Sequence, residues 1–266
     1  MTGWSGTISP SSFQKYTTCN RAWWYKYVAK LPEPSTANQA LGTKVHSALE
    51  RYLTMPDWAP DWDSDDAHRI AHAGIGLLPE PGTVHVETRF EVPCGPAKFV
   101  GIVDMWKLDN SGLWVGDHKT TSNLRYAKTA LELAKDPQLS AYAHVVGQAN
   151  NYAGDVSVSH IYYRTKGLPG AVPVHSRITA DQRLKNWAAF EVAASEWATL
   201  ADLGEPDTIP ADPRACGAYG GCAFAKVCAD SPTNRARANN AVTLGANKMA
   251  LTSAEIAARI AAKRNG

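Results

Sequence analysis

The apolar residues fall into segments whose spacing changes along the chain. Ser9-Pro10-Ser11 predicts a helix start, with Ser9 as cap and Pro10 in the first turn. Phe13, Tyr16, Ala22, Trp23 and Tyr27 carry the stripe to about Val28, and Pro32 and Pro34 end it. A second helix is expected from Asn38 to Leu53, on Leu41, Val45, Ala48, Leu49 and Tyr52. Residues 56–66 read as an acidic loop, and a short helix follows over about 65–78. The middle is strand-like: Thr83–Val92 alternates, while Lys98–Leu108 and Leu113–Thr120 are β-branched and aromatic around an Asp109-Asn110-Ser111-Gly112 turn. Helical segments follow at about 124–135 and 137–149, strands at about 155–164 and 171–178, and a long helix over Thr179–Leu203. The polar tail from Ser231 ends in a helix opened by Thr252 and Glu255 as a capping box. This order describes an α/β domain with a mixed sheet flanked by helices.

At 266 residues and 44% hydrophobic, the chain has ample material for a packed core, which excludes global disorder. One domain over 1–230 and a basic tail over 231–266 are expected. No apolar run approaches the roughly 18 residues a membrane span needs. The opening residues lack a basic start and an apolar stretch, so a cytoplasmic setting is expected. The Ala- and Trp-rich composition suits a high-GC bacterium or its phage. The net charge of +2 averages basic ends with an acidic segment over residues 61–92. That division suits either a polyanion held around a metal site or ordinary surface charge.

The hairpin adds chemistry. With an even loop centred on Asn110-Ser111, paired positions sum to 221, which sets Asp104 opposite Asp117. Opposed like charges are destabilising. Lys119 shares that face. A divalent cation with hard oxygen ligands, Mg²⁺ or Mn²⁺, would account for the convergence; a surface hairpin with a Lys119–aspartate salt bridge is the plainer alternative. Downstream, Asp136-Pro137 opens a helix that puts Gln138 in its first turn and Tyr142 one turn on.

Gly101-Ile102-Val103-Asp104 followed by Asp117-His118-Lys119 resembles the catalytic signature of the PD-(D/E)XK nuclease superfamily. Gly42-Thr43-Lys44-Val45-His46 resembles the G-x-x-x-H motif of its RecB-like branch, and Gln138-Leu139-Ser140-Ala141-Tyr142 the Q-x-x-x-Y motif, in the family's order. The resemblance runs from about Ser9 to Cys228 and implies a restriction-endonuclease-like core. It implies a metal-dependent DNA nuclease, an exonuclease acting on single strands or ends. Its metal ligands would be His46, Asp104, Asp117 and the His118 backbone carbonyl. Lys119 would position or help deprotonate the attacking water, Gln138 would bond a phosphate or Lys119, and Tyr142 would contact nucleic acid. Glu87 is a further acidic candidate, and Glu50 could orient His46. A packed, non-catalytic origin for each motif taken singly, and a DNA-binding or recombination partner module that does not cut, are the alternatives.

Cys216, Cys222 and Cys228 lie within thirteen residues, which argues for a metal or cluster rather than disulfides. Cys19 is the candidate fourth ligand. The set resembles that of the iron–sulfur members of the RecB-like branch, the AddB-type subunits and CRISPR-associated adaptation exonucleases. In them a [4Fe–4S] cluster joins the N- and C-terminal segments. Many members space the trio x2 and x5 where this chain has x5 and x5, and a structural zinc is the alternative. Cys94 reads as a free thiol. Trp23, Trp24, Tyr25 and Tyr27 could stack bases or pack around the cluster. The tail's Arg235, Arg237, Lys248, Arg259, Lys263 and Arg264 could follow DNA or dock a recombination or replication protein.

Overall fold

The computed structural model describes residues 4–235. In chain order the elements are β1 (Thr7–Ile8), α1 (Pro10–Thr18), α2 (Asn20–Tyr27), α3 (Ala37–Thr54), α4 (Asp66–His72), β2 (His85–Cys94), β3 (Ala97–Asp109), β4 (Gly112–Thr121), α5 (Ala130–Leu133), α6 (Pro137–Ala149), β5 (Val156–Arg164), β6 (Ala171–Ile178) and α7 (Ala180–Asp202). They form two compact units. Among the described residues one comprises 4–34, 93–99 and 190–235, the other 35–92 and 100–189.

The first unit draws on segments far apart in sequence. Ser9 caps α1 through a capping box with Ser12, as its position predicts. The single helix expected to Val28 is in fact two, divided at Cys19, whose backbone is extended (φ −163°, ψ 112°). The break is stabilised from outside: the Arg21 amide donates to the Pro210 carbonyl, and Cys19 Sγ accepts from the Asp212 amide at 3.4 Å. Trp197, fully buried, sits among Trp4, Tyr16 and Trp23 at ring-centroid distances of 6.0, 5.3 and 4.7 Å. Trp23, Trp24 and Tyr25 are buried, so these rings pack rather than offer faces to bases. β1 pairs in parallel with the start of β3 through Thr7–Lys98 and Ile8–Phe99. The basic tail residues Arg237, Lys248, Arg259, Lys263 and Arg264, and the Thr252–Glu255 cap, lie outside the described residues.

The second unit is built on a mixed sheet. β3 and β4 are antiparallel, β4 and β5 parallel, and β5 and β6 antiparallel, with β2 beside β3. The hairpin register is the expected one: Asp109 pairs with Gly112 and Met105 with Gly116. The helix expected over 124–135 is a short 3₁₀ turn at Leu124–Tyr126 followed by α5, because Asn123 and Thr129 each cap a new turn. Alternation along β4 sends His118 and Thr120 towards α3, and Asp117 and Lys119 towards α6. Val45, Ala48, Leu49 and Leu53 of α3 bury against Met105, Ile161 and Tyr163. Val45, Leu49 and Leu53 each contribute about 1.5–3 kcal/mol by leaving water. Gly42 lets α3 approach β4: a Cβ there would lie 2.9 Å from Thr120 Oγ1. Among the described residues no helix is long and apolar enough to cross a membrane.

Candidate active site

The ladder between β3 and β4 has its last pair at Met105–Gly116, and Asp104 sits at the fork beyond it. Asp104 Oδ2 accepts from the His118 amide at 2.8 Å and lies 3.4 Å from His46 Nδ1. The two aspartates therefore turn to different partners instead of facing each other across a ladder pair. Asp117 Oδ1 accepts from Gln138 Nε2 at 2.8 Å, and its Oδ2 is ion-paired with Lys119 Nζ at 2.5 Å. Lys119 Nζ also donates to Gln138 Oε1 at 2.8 Å, so Gln138 ties the carboxylate to the ammonium. Asp136 caps α6 through the Leu139 amide and so fixes Gln138 in the first turn.

Among the described residues, His46, Glu87 and Asp104 bring one ligand atom each within 4.8 Å of one another. Glu87, secondary in the sequence reading, thereby joins the centre of the site. Its φ of 46° is left-handed, which a strand residue rarely adopts and which concentrates at functional sites. Asp117 lies outside this triplet, held by Lys119 and Gln138. Glu50, expected to orient His46, lines the same cavity as His46, and the pKa of Glu87 is raised by burial and by the charges of Glu50 and Asp117. His46, Glu50, Glu87 and Asp104 line a cavity of about 430 Å³ that also includes Gly42, Thr43 and Thr120. Tyr142, expected to contact nucleic acid, is only 5% exposed, and its hydroxyl accepts from Gln138 Nε2 at 3.2 Å. It braces Gln138 from behind.

The electrostatics fit a cation. Burial pushes Asp104 up to about 6, against the His118 amide and Lys119, which lower it. Burial likewise raises Asp117. The Asp117 Oδ2 atom is buried with no well-directed hydrogen bond, although Lys119 stands beside it. Burial lowers the pKa of His46, leaving a neutral imidazole, the form that binds metal. Two carboxylates and an imidazole, desolvated beyond what their protein partners offset, are a donor set for Mg²⁺ or Mn²⁺. Burial alone would lower Lys119, but the charge and hydrogen bond of Asp117 outweigh it and raise its pKa. Lys119 is thus a cation at neutral pH and a poor proton acceptor.

Sequence reasoning missed His160, Tyr162 and Tyr163 on β5. His160 is 1% exposed, with Nε2 3.5 Å from Asp117 Oδ2. Tyr163 Oη meets His118 Nδ1 at 3.2 Å, which occupies that ring nitrogen. Only the parallel β4–β5 register, Asp117 with His160 and Lys119 with Tyr162, brings these residues in, and no local motif announces it.

In the first unit, Cys19, Cys216, Cys222 and Cys228 line one small pocket of about 10 Å³ with Tyr25 and Phe224. Their sulfurs form no set of three within 4.8 Å among the described residues. Arg21, 2% exposed, donates from Nη1 to Cys228 Sγ at 3.8 Å and pairs with Asp230 at 2.9 Å. Cys94 is a buried free thiol, raised to about 12 by burial and Glu191.

The model of the PD-(D/E)XK nuclease superfamily matches residues 7–229. The chain belongs to the PD-(D/E)XK nuclease superfamily. Among solved structures it is similar to a protein from Eubacterium rectale named provisionally as an exonuclease, with 11% identity and a TM-score of 0.57, covering 92% of this chain and 91% of that one. At that identity the likeness shows the fold alone. The protein SSO0001 is a more distant match, with 15% identity and a TM-score of 0.41 over 84% of this chain and 86% of that one. No curated protein matches the chain.

Proposed function

We propose that the protein is a divalent-metal-dependent deoxyribonuclease, an exonuclease that hydrolyses single-stranded DNA or DNA ends. The observation that carries this reading is the convergence of His46, Glu87 and Asp104 beside the Asp117–Lys119–Gln138 network. His46, Glu87 and Asp104, with Asp117 and the His118 carbonyl adjoining, would hold Mg²⁺ or Mn²⁺. Such a cation neutralises the scissile phosphate and makes water more acidic. The Lys119 ammonium supplies fixed positive charge where negative charge develops. Gln138, braced by Tyr142, keeps that ammonium on the Asp117 side of the pocket. Because Lys119 is already protonated, it serves charge stabilisation and proton donation rather than general-base catalysis.

The same reading assigns a structural [4Fe–4S] cluster to Cys19, Cys216, Cys222 and Cys228. Its support is that the four side chains line one pocket and that N–H donors from Arg21 and Asp212 point at Cys228 and Cys19. Four thiolates around one zinc at about 2.3 Å would stand about 3.8 Å apart, and among the described residues no three of these sulfurs lie within 4.8 Å of one another. The reading places the enzyme in the cytoplasm of a bacterium or phage-infected host, with its basic tail available to DNA or to a recombination or replication protein.

The test is a product-length time course on end-labelled and end-blocked single- and double-stranded DNA with Mn²⁺ or Mg²⁺. Shortening from free ends, lost in Asp104→Ala, is expected. Binding without cleavage under either metal, or cleavage unchanged in Asp104→Ala, refutes the reading. Iron and zinc analysis of the purified protein decides the cluster.

A further inference from the structure

Behind the pocket, a ring of polar contacts joins Asp117 and Gln138 to Lys128, Tyr162 and His160, three groups that the cleavage chemistry leaves unused. The Lys128 amide donates to Tyr162 Oη at 3.2 Å. His160 Nδ1 lies 3.1 Å from the same oxygen. His160 Nε2 is buried, has no hydrogen-bond partner, and faces Asp117 Oδ2 at 3.5 Å, the outer limit of hydrogen bonding. Lys128 closes the ring, since its ammonium pairs with Asp136, the cap of α6, and Gln138 of α6 donates to Asp117 Oδ1.

This order of contacts selects one tautomer. Tyr162 Oη already accepts from a backbone amide, so its own proton is directed to His160 Nδ1, and the ring proton then sits on Nε2. The other tautomer would aim a nitrogen lone pair at a carboxylate in a dry site, which costs free energy. A backbone amide thereby sets the direction of hydrogen bonding through two side chains to Asp117.

We propose that His160 is a positioning residue for the cation site: its Nε2–H holds Asp117 Oδ2 in the orientation in which the carboxylates receive the metal. The proposal rests on the reading of Asp117 as a member of that site. Outer-sphere partners of metal-binding carboxylates typically change affinity by about 10–100-fold when removed.

The experiment is Mn²⁺ titration of the full chain, followed by electron paramagnetic resonance of free Mn²⁺, with thermal unfolding of each variant alongside. His160→Ala is expected to weaken Mn²⁺ binding by about 10–100-fold. His160→Gln, whose amide nitrogen can occupy the Nε2 position, is expected to restore most of the affinity. A role in packing alone would not be rescued in this way. Tyr162→Phe keeps the ring volume but frees the tautomer, and is expected to shift affinity in the same direction by less. It carries the test if His160→Ala does not fold. Wild-type affinity in a folded His160→Ala, or in Tyr162→Phe, overturns the role of His160 alone. Failure of the wild-type chain to bind Mn²⁺ overturns the cation site and this role together.

Discussion

Asp104→Asn is expected to stabilise the metal-free protein while removing its response to metal. Asp104 is 8% exposed, and burial raises its pKa from an ordinary 3.8 to about 6. The folded-state value lies above the unfolded one, so the protonated acid is the form the fold favours. At neutral pH the ionised carboxylate costs the native state about 3 kcal/mol, the free-energy equivalent of that difference. The cost is complete above about pH 6 and disappears below about pH 4, where both states carry the proton. Asparagine keeps the oxygen that accepts from the His118 amide and removes the charge. At about 2–4 °C per kcal/mol, the gain in melting temperature in EDTA at pH 7.5 is roughly 6–12 °C. The difference between variant and wild type should shrink as pH falls towards 4. Mn²⁺ at a hundred times its dissociation constant should restore about 2.7 kcal/mol to the wild type and nothing to the variant. Calorimetry of both proteins from pH 4 to 8, with and without Mn²⁺, measures all three. A variant no more stable than wild type in EDTA at pH 7.5 would refute the reasoning, since Asp104 would then not be under electrostatic strain.

Lys119→Met should bind Mn²⁺ and DNA yet cleave at least about 10²-fold more slowly in single-turnover assays, the scale of losing one charge-stabilising donor; a tenfold loss or less would move the positive charge elsewhere. Cys19→Ala should lose bound iron and melt at lower temperature, and full thermal stability without iron would show that no cluster supports the first unit. Leu49→Ala, at a fully buried position between α3 and the sheet, should cost about 2–5 kcal/mol in urea unfolding without changing Mn²⁺ affinity per folded molecule.

The features of the site that follow from local spacing were legible in the sequence. The two-residue centre of the hairpin turn fixed the register, and with it the nearness of Asp104 to Asp117. Asp136-Pro137 announced the start of α6, and hence the place of Gln138. The reading failed where tertiary contacts override local preference. The stripe through Phe13 and Tyr27 suits one helix, but contacts near residues 210–212 hold Cys19 extended and split it. Opposition of Asp104 and Asp117 was right in register, yet the strands diverge just before these residues can form a ladder pair. Tyr142 has the spacing of a surface residue beside Gln138, and burial gives it a bracing role. His160 is invisible to spacing because its partnership with Asp117 is made by a parallel crossover through α6.

The first unit has a consequence for synthesis. Its helices α1 and α2 are made before α3 to α7, but Trp197 and Cys216–Cys228, against which they pack, are made about two hundred residues later. Translation proceeds at about 5–20 residues per second, so Trp23 and its neighbours stand exposed to the cell for roughly ten seconds or more. A segment that waits this long for its packing partners is a natural client of whatever chaperone meets the nascent chain.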